Sequence, residues 1–393
     1  MSSGALNFLS VHSAATDIHV GLDIGGTLAK VVVVAPERLL KHVSTLFSNA
    51  VMIHEKFSSE EHDIRPEDLG FANSSDSERL AFEMFSFDSR DIGTLLSFLK
   101  ELLAPLGEHR FSVHVTGGGA VKFRSELQSA FATAVFVKVD EVEAIAKGFS
   151  FLVRRLNSAF IFASEDRSWT PVPPEEVLAP FPLLLVNIGS GVSMIKLEGP
   201  DQYERVQGSA IGGGTVLGLG KALFGAKSFE EIMDLSMQGN SGNVDISVGE
   251  LIGAPPTDDL WNFNTLASSL TKLLTLDKSA VSRADLAQSI VRMVSYNIGY
   301  VAYLVSCLHD CPRIYFSGKY VNKHVPTMEA ISYAVKFYEN WKPPPAAEES
   351  LAKGLEEEPE ISSLLDERKC DVRFLHHEGY VGAIGALLSS RNT

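Results

Sequence analysis

Two stretches of apolar residues, each interrupted by a glycine-containing turn, form the most prominent pattern along the chain. The first is "HVGLDIGGTLAKVVVV" from His19 to Val34, and the second is "PLLLVNIGSGVSMIKLEG" from Pro182 to Gly199. The Val, Ile and Leu residues on both sides of each turn predict two antiparallel strands joined by a tight hairpin. Both stretches follow the order strand, acid or amide, glycine turn, hydroxyl, strand. We interpret this as an internal duplication, which predicts two related domains that face a shared cleft.

The segments around these hairpins alternate between strand and helix patterns, which is typical of an α/β protein. "FSVHVTGGGA" (111–120) is a strand that ends in a glycine-rich turn, and "KVDEVEAIAKGF" (138–149) is a strand end followed by a helix. "GSAIGGGTVLGLGKALFG" (208–225) is a helix that opens with three glycines. The pattern predicts an N-terminal domain over 17–178 and a C-terminal domain over 179–393.

Two segments have few apolar residues to bury. We expect residues 1–16 to be a disordered lead-in. Residues 342–369 are rich in proline and then in glutamate, which predicts a mobile surface insertion. Beyond the insertion, the pattern predicts a last strand and a final helix built from small residues.

The composition narrows the class of protein. The chain has 393 residues, of which 45% are hydrophobic and 21% are charged, as in a globular protein. A formal net charge of −15 argues against a nucleic-acid binder or a partner of anionic membranes, since both need a positively charged face. A phosphate ligand would therefore be bound by a few placed cations and backbone amides.

Cysteine content and targeting signals favour a cytoplasmic protein. Three cysteines, Cys307, Cys311 and Cys370, are an odd number and match neither a disulfide framework nor a zinc site, which indicates a reducing compartment. No run reaches about 18 uninterrupted apolar residues, so no membrane span is predicted. The first 17 residues contain neither Arg nor Lys, so no signal or transit peptide is predicted.

The first hairpin turn carries more polar chemistry than a hairpin needs. Gly25 and Gly26 allow the backbone N–H groups to approach an anion closely. Asp23, Thr27 and Lys30 bring a carboxylate, a hydroxyl and an ammonium group to the same turn. A phosphate-binding turn is one interpretation, and a plain hairpin with incidental polar neighbours is the other.

A candidate general base lies where the strand before residue 140 meets a helix. Asp140 and Glu143 have the spacing of a capping box, which gives both acids a structural role. Glu141 has no such role and lies at the carboxyl end of a strand, where α/β folds bind ligands. The alternative is a solvated glutamate that the helix dipole favours.

Four further motifs carry candidate chemistry. Arg205 can hold a substrate carboxylate with its planar guanidinium, or be a surface arginine. Gly212, Gly213 and Gly214 open a helix at a high entropic cost, which favours nucleotide contact over a mere kink. His376 and His377 lack further metal ligands and are assigned to packing and surface. "FSGK", ending at Lys319, lacks the spacing of a phosphate loop.

These motifs together resemble a known family. The duplicated strand-turn-strand with "DIGGT" and "NIGSGVS" is similar to the actin, hexokinase and heat-shock-protein ATPase superfamily. More closely, the chain resembles the eukaryotic-type (type II) pantothenate kinases over about Gly21 to Leu388. That resemblance rests on the ordered set "GLDIGGTLAKV", "VTGGGAVKF", "KVDEVEAIAKG", "PFPLLLVNIGSGVSMI", "RVQGSAIGGGTVLGL" and "HHEGYVGAIGALL". It implies duplicated actin-like ATPase (ribonuclease H-like) domains around a nucleotide cleft.

The resemblance also implies an activity. This is phosphorylation of pantothenate to 4'-phosphopantothenate with ATP and Mg²⁺, the first step of coenzyme A biosynthesis. It further implies feedback inhibition by acyl-CoA, and a homodimer, or a heteromer with a related kinase chain, formed through helices of the C-terminal domain.

Individual residues take roles by the same resemblance. Glu141 matches the catalytic base, Asp23 the carboxylate that orders magnesium through water, and Arg205 the arginine that holds the pantothenate carboxylate. Ser190 and Ser193 match hydroxyls of the substrate site. The residues implied for the nucleotide are Gly25, Gly26, Thr27, Lys30, Gly189, Gly212, Gly213, Gly214 and Thr215, with Lys30 also placed among the catalytic residues.

Three segments depart from the family pattern, namely "IGAPPTDDL" (252–260), "ASSLTKL" (267–273) and "GKYVN" (318–322). They leave a second function open, a weakly active regulatory subunit that binds CoA or nucleotide and pairs with another kinase chain. A third hypothesis is a sugar kinase of the superfamily. Arg205 disfavours this hypothesis, because an arginine there suggests an acidic substrate.

Overall fold

The fold is taken from a computed structural model of the chain. It describes residues 18–37, 53–58, 80–104, 111–131, 134–156, 158–177, 181–199, 201–253, 265–277, 280–340, 369–376 and 378–389. The predicted lead-in at 1–16 and nearly all of the predicted insertion at 342–369 lie outside these residues. The chain forms two compact units, Met1–Ala144 with Gly382–Thr393, and Ile145–Val381. These units are defined by contacts, so the domain boundary at 178, drawn from the repeat, stays a prediction.

The first unit is built on a six-stranded sheet with the order β3-β4-β2-β1-β5-β6. The strands β1, β5 and β6 are parallel, and β1–β2, β2–β4 and β3–β4 are antiparallel. The bounds are β1 Ile18–Ile24, β2 Leu28–Pro36, β3 Ile53–Ser58, β4 Leu80–Asp88, β5 Phe111–Thr116 and β6 Val135–Lys138.

Helices cover both faces of this sheet. On one face, apolar side chains of β1, β2, β4 and β5 form a core with α1, α2 and α3. On the other face, α11 packs so closely that a Cβ atom at Gly21 would stand 2.2 Å from the carbonyl oxygen of Ala383. The bounds are α1 Ile92–Leu103, α2 Gly118–Lys122, α3 Arg124–Ala130 and α11 Val381–Ser389. Helix α4, Glu141–Arg155, begins in this unit and continues into the second.

The second unit contains a seven-stranded sheet with the order β11-β10-β9-β14-β15-β7-β8. The strands β9, β14 and β15 are parallel, and β9–β10, β10–β11, β7–β15 and β7–β8 are antiparallel. The bounds are β7 Ala159–Ala163, β8 Ser168–Pro171, β9 Leu183–Ile188, β10 Val192–Gly199, β11 Gln202–Ser209, β14 Arg313–Ser317 and β15 Asp371–Leu375. A small separate pair consists of β12 Ile246–Ser247 and β13 Leu266–Ser268.

The helices of the second unit pack around the long helix α9. Its apolar face joins α6, α7 and α10 in one core with the sheet. The bounds are α5 Pro174–Val177, α6 Gly213–Phe224, α7 Phe229–Ser236, α8 Val248–Ile252, α9 Arg283–Leu308 and α10 Val325–Asn340. Among the described residues, α9 alone is long and apolar enough to cross a membrane, but half of the window that qualifies is buried in the protein. That burial is typical of a core helix.

The two sheets share a topology, which confirms the predicted duplication. In the first unit, β4-β2-β1-β5-β6 reads antiparallel, antiparallel, parallel, parallel. In the second, β11-β10-β9-β14-β15 has the same order and directions. In each case the predicted hairpin supplies two neighbouring strands, and a later strand, β4 or β11, pairs with the second strand of the hairpin. This is the duplicated α/β, actin-like (ribonuclease H-like) fold that the sequence predicts.

Candidate functional site

The turn between β1 and β2 presents exposed glycines beside an ion pair. Gly25 and Gly26 are exposed, and the N–H of Gly25 donates to the carbonyl of Leu28 at 2.9 Å. Asp23 and Lys30 are directly paired across the hairpin. Their carboxylate and ammonium groups lie 3.7 Å apart, and each side chain is 19% exposed. The hairpin therefore sets a carboxylate and a cation at the base of an amide-rich turn.

Glycine backbone packs closely against both oxygens of the Asp23 carboxylate. A Cβ atom at Gly117 would stand 2.9 Å from Oδ1, and one at Gly382 would stand 2.6 Å from Oδ2. Gly117 also has φ of +81°, a conformation that glycine adopts without strain. No side chain can therefore occupy these two positions without displacing Asp23.

The donor set around Asp23 fits a hydrated magnesium ion. No group of three or more His, Cys, Asp or Glu in the described part of the chain forms a metal-binding cluster. Magnesium keeps several waters and takes only one or two carboxylates together with substrate phosphates, so the single, partly exposed carboxylate of Asp23 is suitable. The geometry also leaves a buried hydroxyl near this carboxylate, on Thr116.

Glu141 lies at the same edge of the first sheet as this turn. The N–H of Val139, just after β6, donates to the carbonyl of Val115 at 2.9 Å, which fixes the strand end beside β5. Asp140 then caps α4, because its Oδ1 accepts from the N–H groups of Val142 (2.9 Å) and Glu143 (3.1 Å). Glu141 is exposed in the first turn. Because β1, β5 and β6 are parallel, their carboxyl ends bring Asp23, Lys30 and Glu141 to one edge.

The corresponding turn of the second unit is packed against a helix start. Ser190 and Gly189 are exposed in the β9–β10 turn. The first amides of α6 donate to that turn, Gly213 to the carbonyl of Gly189 and Gly214 to that of Ser190, both at 2.9 Å. Cβ atoms at Gly212, Gly213 and Gly214 would stand 2.8–3.0 Å from backbone atoms of the same turn.

The three consecutive glycines therefore have a structural cause, close approach of two backbones. Thr215 completes this helix start, since its hydroxyl accepts from the N–H of Gly212 and donates to the carbonyl of Ala210, both at 3.2 Å. The amides of Gly213 and Gly214 are already used in these contacts. Their contact with a nucleotide stays a prediction.

Arg205 lies in an open cavity on β11. The cavity has a volume of about 540 Å³ and is lined by residues 205–210. The exposed guanidinium lies over Gly208, where a Cβ atom would stand 2.6 Å from Nη2. Ser193 of β10 is directly paired with Gly208. The second sheet thus brings Arg205 and Ser193, two of the predicted substrate-binding residues, to the same place.

Each of the two sheets contains an equivalent row of paired residues. In the first unit the paired positions are Ser86, Lys30, Asp23 and Thr116. In the second unit the equivalent positions are Gly208, Ser193, Asn187 and Ser317. Asp23, Lys30 and Ser193 were predicted as site residues from the sequence, whereas Thr116 and Ser317 were not. The internal repeat could have indicated both, because the strands "HVTGGG" and "YFSGKY" occupy equivalent positions in it.

Two other motifs have structural roles. His376 stacks on Phe160 with ring centroids 4.3 Å apart, so its predicted assignment to packing is confirmed, whereas His377 lies outside the described residues. Lys319 donates to Glu230 at 2.7 Å. Burial of Glu230 opposes its ionisation, but the hydrogen bond from Lys319 outweighs this and lowers the pKa of the carboxyl group below its ordinary value.

The sequence was compared with family models and with curated proteins. The model of the Fumble family matches residues 19–344. "Pantothenate kinase 2" of Arabidopsis thaliana is 31% identical over 94% of the chain, and "Pantothenate kinase 1" of the same plant is 34% identical over 79%. "4'-phosphopantetheine phosphatase" of Mus musculus is 34% identical over 77%. The chain spans 38%, 76% and 33% of these three proteins, respectively.

Proposed function

The chain belongs to the Fumble family, and from that premise we propose that it is an ATP-dependent pantothenate kinase of coenzyme A biosynthesis. Two relatives bear the name pantothenate kinase, and the chain covers 76% of one of them. The mouse relative bears the name of a phosphatase, but the chain covers only 33% of it. The duplicated fold and the placement of the acids and cations at the strand ends favour phosphoryl transfer.

The observation that carries the substrate assignment is the position of Arg205. Its guanidinium is exposed, lies in a cavity, and stands over a glycine next to Ser193. A planar guanidinium matches a carboxylate with two parallel hydrogen bonds, and pantothenate carries such a group. A neutral sugar has no group that would need this cation.

The residues of the first unit supply the groups that phosphoryl transfer needs. Glu141 would act as general base toward the primary hydroxyl of pantothenate. Lys30 would neutralise charge on the phosphates. The Gly25 N–H already donates to the carbonyl of Leu28, so the exposed Gly26 amide would be the donor of this turn to the phosphates. Asp23 would hold Mg²⁺ through water; when bound, this ion neutralises charge that develops on the phosphate oxygens.

The test is ATP-dependent phosphorylation of pantothenate by the purified chain alone. We expect turnover in the native protein and a loss of kcat of about 10²–10⁴-fold in Glu141→Gln, because the variant removes a general base while keeping the side-chain shape. Nucleotide affinity should change little. Glu143→Gln is the matched control, since Glu143 lies in the same first turn of α4.

Each result separates the candidate functions. Equal loss in Glu141→Gln and Glu143→Gln would contradict the base assignment. A native chain that binds nucleotide or CoA but turns over only when mixed with a related kinase chain would favour the regulatory subunit. The same preparation tests two further proposals, inhibition by acyl-CoA and assembly as a dimer.

A further inference from the structure

The hydroxyl of Thr116 has no hydrogen-bond partner within the described residues. Thr116 is only 1% exposed, and its Oγ1 is shielded from solvent. A buried hydroxyl without a partner destabilises the folded chain, and valine has the same shape without a polar group to satisfy. A bound species that is absent from the chain itself, such as water or a ligand, would satisfy the group.

Thr116 is placed beside Asp23 by the register of two strands. It is directly paired with Asp23 across the parallel strands β1 and β5, so both side chains lie on one face of the sheet. Asp23 is in turn paired with Lys30. The Asp23 side chain is 19% exposed. The unpartnered hydroxyl and a partly exposed carboxylate are therefore neighbours in the sheet.

The second unit contains the same pair in a closed form. Ser317 of β14 is paired with Asn187 of β9, and its hydroxyl donates to the Asn187 side-chain oxygen at 3.1 Å. Each hydroxyl residue is followed by a glycine with positive φ, +81° at Gly117 and +101° at Gly318. The duplicated positions are thus equivalent in backbone as well as in sequence. They differ in that the direct hydrogen bond is made only in the unit with the amide.

We propose that Thr116 is a positioning residue for the water through which Asp23 holds Mg²⁺; the inference rests on the proposed function. The Thr116 hydroxyl accepts a hydrogen bond from that water, and the Asp23 carboxylate binds its second hydrogen. In the second unit the Asn187 amide oxygen accepts the hydrogen bond of the Ser317 hydroxyl directly. In the first unit the carboxylate binds the water of a hydrated cation, and the Thr116 hydroxyl forms its hydrogen bond with that water.

The experiment measures metal binding without turnover. Mn²⁺ is titrated into the full chain with a non-hydrolysable ATP analogue and followed by electron paramagnetic resonance. Loss of one hydrogen bond predicts about five- to tenfold weaker Mn²⁺ binding in Thr116→Val, with recovery to near the native value in Thr116→Ser. Ser332→Ala is the matched control, because Ser332 on α10 is also buried and without a partner in the described structure.

Thermal unfolding of each variant shows whether it is folded. If Thr116→Val is folded and binds Mn²⁺ like the native protein, or if Ser332→Ala weakens binding equally, the inference is wrong. If Thr116→Val does not fold, Thr116→Ala is compared with Thr116→Ser. Weaker Mn²⁺ binding in Thr116→Ala supports the inference, and equal binding in the two variants contradicts it. If the native chain binds Mn²⁺ with the analogue but does not phosphorylate pantothenate, the proposed function is wrong. The effect of Thr116 on Mn²⁺ binding is measured independently of that result.

Discussion

At the scale of single residues, the two units repeat their chemistry with one change of charge. Asp23 in the first hairpin has Asn187 as its counterpart in the second. The carboxylate lies beside Lys30, while the amide accepts from the Ser317 hydroxyl. The two units therefore differ at this position both in charge and in the hydrogen bond that the side chain makes.

Arg205 allows a test of substrate binding at this scale. Arg205→Ala is expected to raise the KM for pantothenate about 10–100-fold, because a hydrogen bond to a charged group contributes about 1.5–3 kcal/mol. The KM for ATP should remain within about threefold, since this residue has no role in nucleotide binding. Steady-state kinetics with each substrate varied in turn measures both values.

Gln207 gives the matched control for Arg205. It lines the same cavity without a positive charge, so Gln207→Ala should leave the KM for pantothenate near the native value. An unchanged KM in Arg205→Ala would contradict the assignment of Arg205 to the substrate carboxylate.

A departure from the family pattern is also explained by single contacts. Tyr320 in "GKYVN" is buried, and its hydroxyl is bonded to Ser295 at 2.9 Å and to the carbonyl of Val291 at 3.3 Å. Its ring lies 3.5 Å from the position that a Cβ atom would take at Gly213. The polar atom that tyrosine brings into the core is therefore satisfied by α9. This segment packs without a buried unpartnered group at residue 320.

At the scale of elements, α6 contains a closely packed glycine at its start, Gly213, and an exposed glycine further along, Gly218. Gly213 stands against the carbonyl oxygen of Gly189, with only 2.8 Å left for a Cβ atom. Gly218 of the same helix is exposed, and a Cβ atom there would meet nothing within 4 Å. The same substitution should therefore have opposite effects at the two positions.

We expect Gly213→Ala to destabilise the second unit by about 1–3 kcal/mol, because backbone must move away from backbone. Gly218→Ala should stabilise it by about 0.5–1 kcal/mol through the higher helix propensity of alanine. Urea unfolding measured by tryptophan fluorescence reports this unit through Trp169, which lies in β8. Equal changes in both variants would show that the contact with the turn has no energetic weight.

At the scale of the whole molecule, the chain is acidic, and the cations proposed to bind ligands are few and lie at the proposed sites. The formal net charge is −15. Lys30 nevertheless lies in β2 next to the first hairpin turn, and Arg205 lies in β11 at the proposed substrate site. An acidic molecule repels anions, so affinity for phosphate depends on a few groups such as Lys30 and on backbone amides. Raised salt should weaken nucleotide binding only modestly, because the charges involved are few.

The stability of the molecule should fall on acidification below neutral pH. His114 is buried on β5, where desolvation and the neighbouring His19 lower its pKa to about 3. The unfolded chain binds this proton near pH 6.5 and the folded chain does not, so stability is present above that pH and is lost as the pH falls toward 3. The loss from one such group reaches about 1.4 kcal/mol per pH unit. Burial also lowers the pKa of His324, which adds to the effect in the second unit.

Urea unfolding followed by far-ultraviolet circular dichroism between pH 7 and pH 4 tests this prediction. His114→Leu should reduce the pH dependence by about one proton, because the variant has no group to titrate there. His309→Leu is the control, since His309 is only half-buried at the end of α9. The same slope in the native protein and in His114→Leu would contradict the role of His114.

The sequence by itself determined the features that depend on neighbours along the chain. The alternation of apolar residues around Gly25 and around Gly189 predicted both hairpins, and their similarity predicted the duplicated fold. Asp140 was predicted as a helix cap from its spacing to Glu143, and its contacts confirm this. The unusual run from Gly212 to Gly214 predicted a special helix start, but it was interpreted as nucleotide contact, which stays a prediction. These signals are local, because turns, caps and strand periodicity are set within a few residues.

The tertiary structure alone decided which distant residues meet. Asp23 and Thr116 are 93 positions apart and become neighbours only through the register of β1 and β5. The reason for each glycine at 212–214 likewise required the turn that receives it. Burial separated Thr116 from water without giving it a partner, which no pattern of polar and apolar positions encodes. Pairing between remote strands is fixed by the packing of the whole sheet, so the sequence predicted the hairpins and the structure assembled the rows of side chains across them.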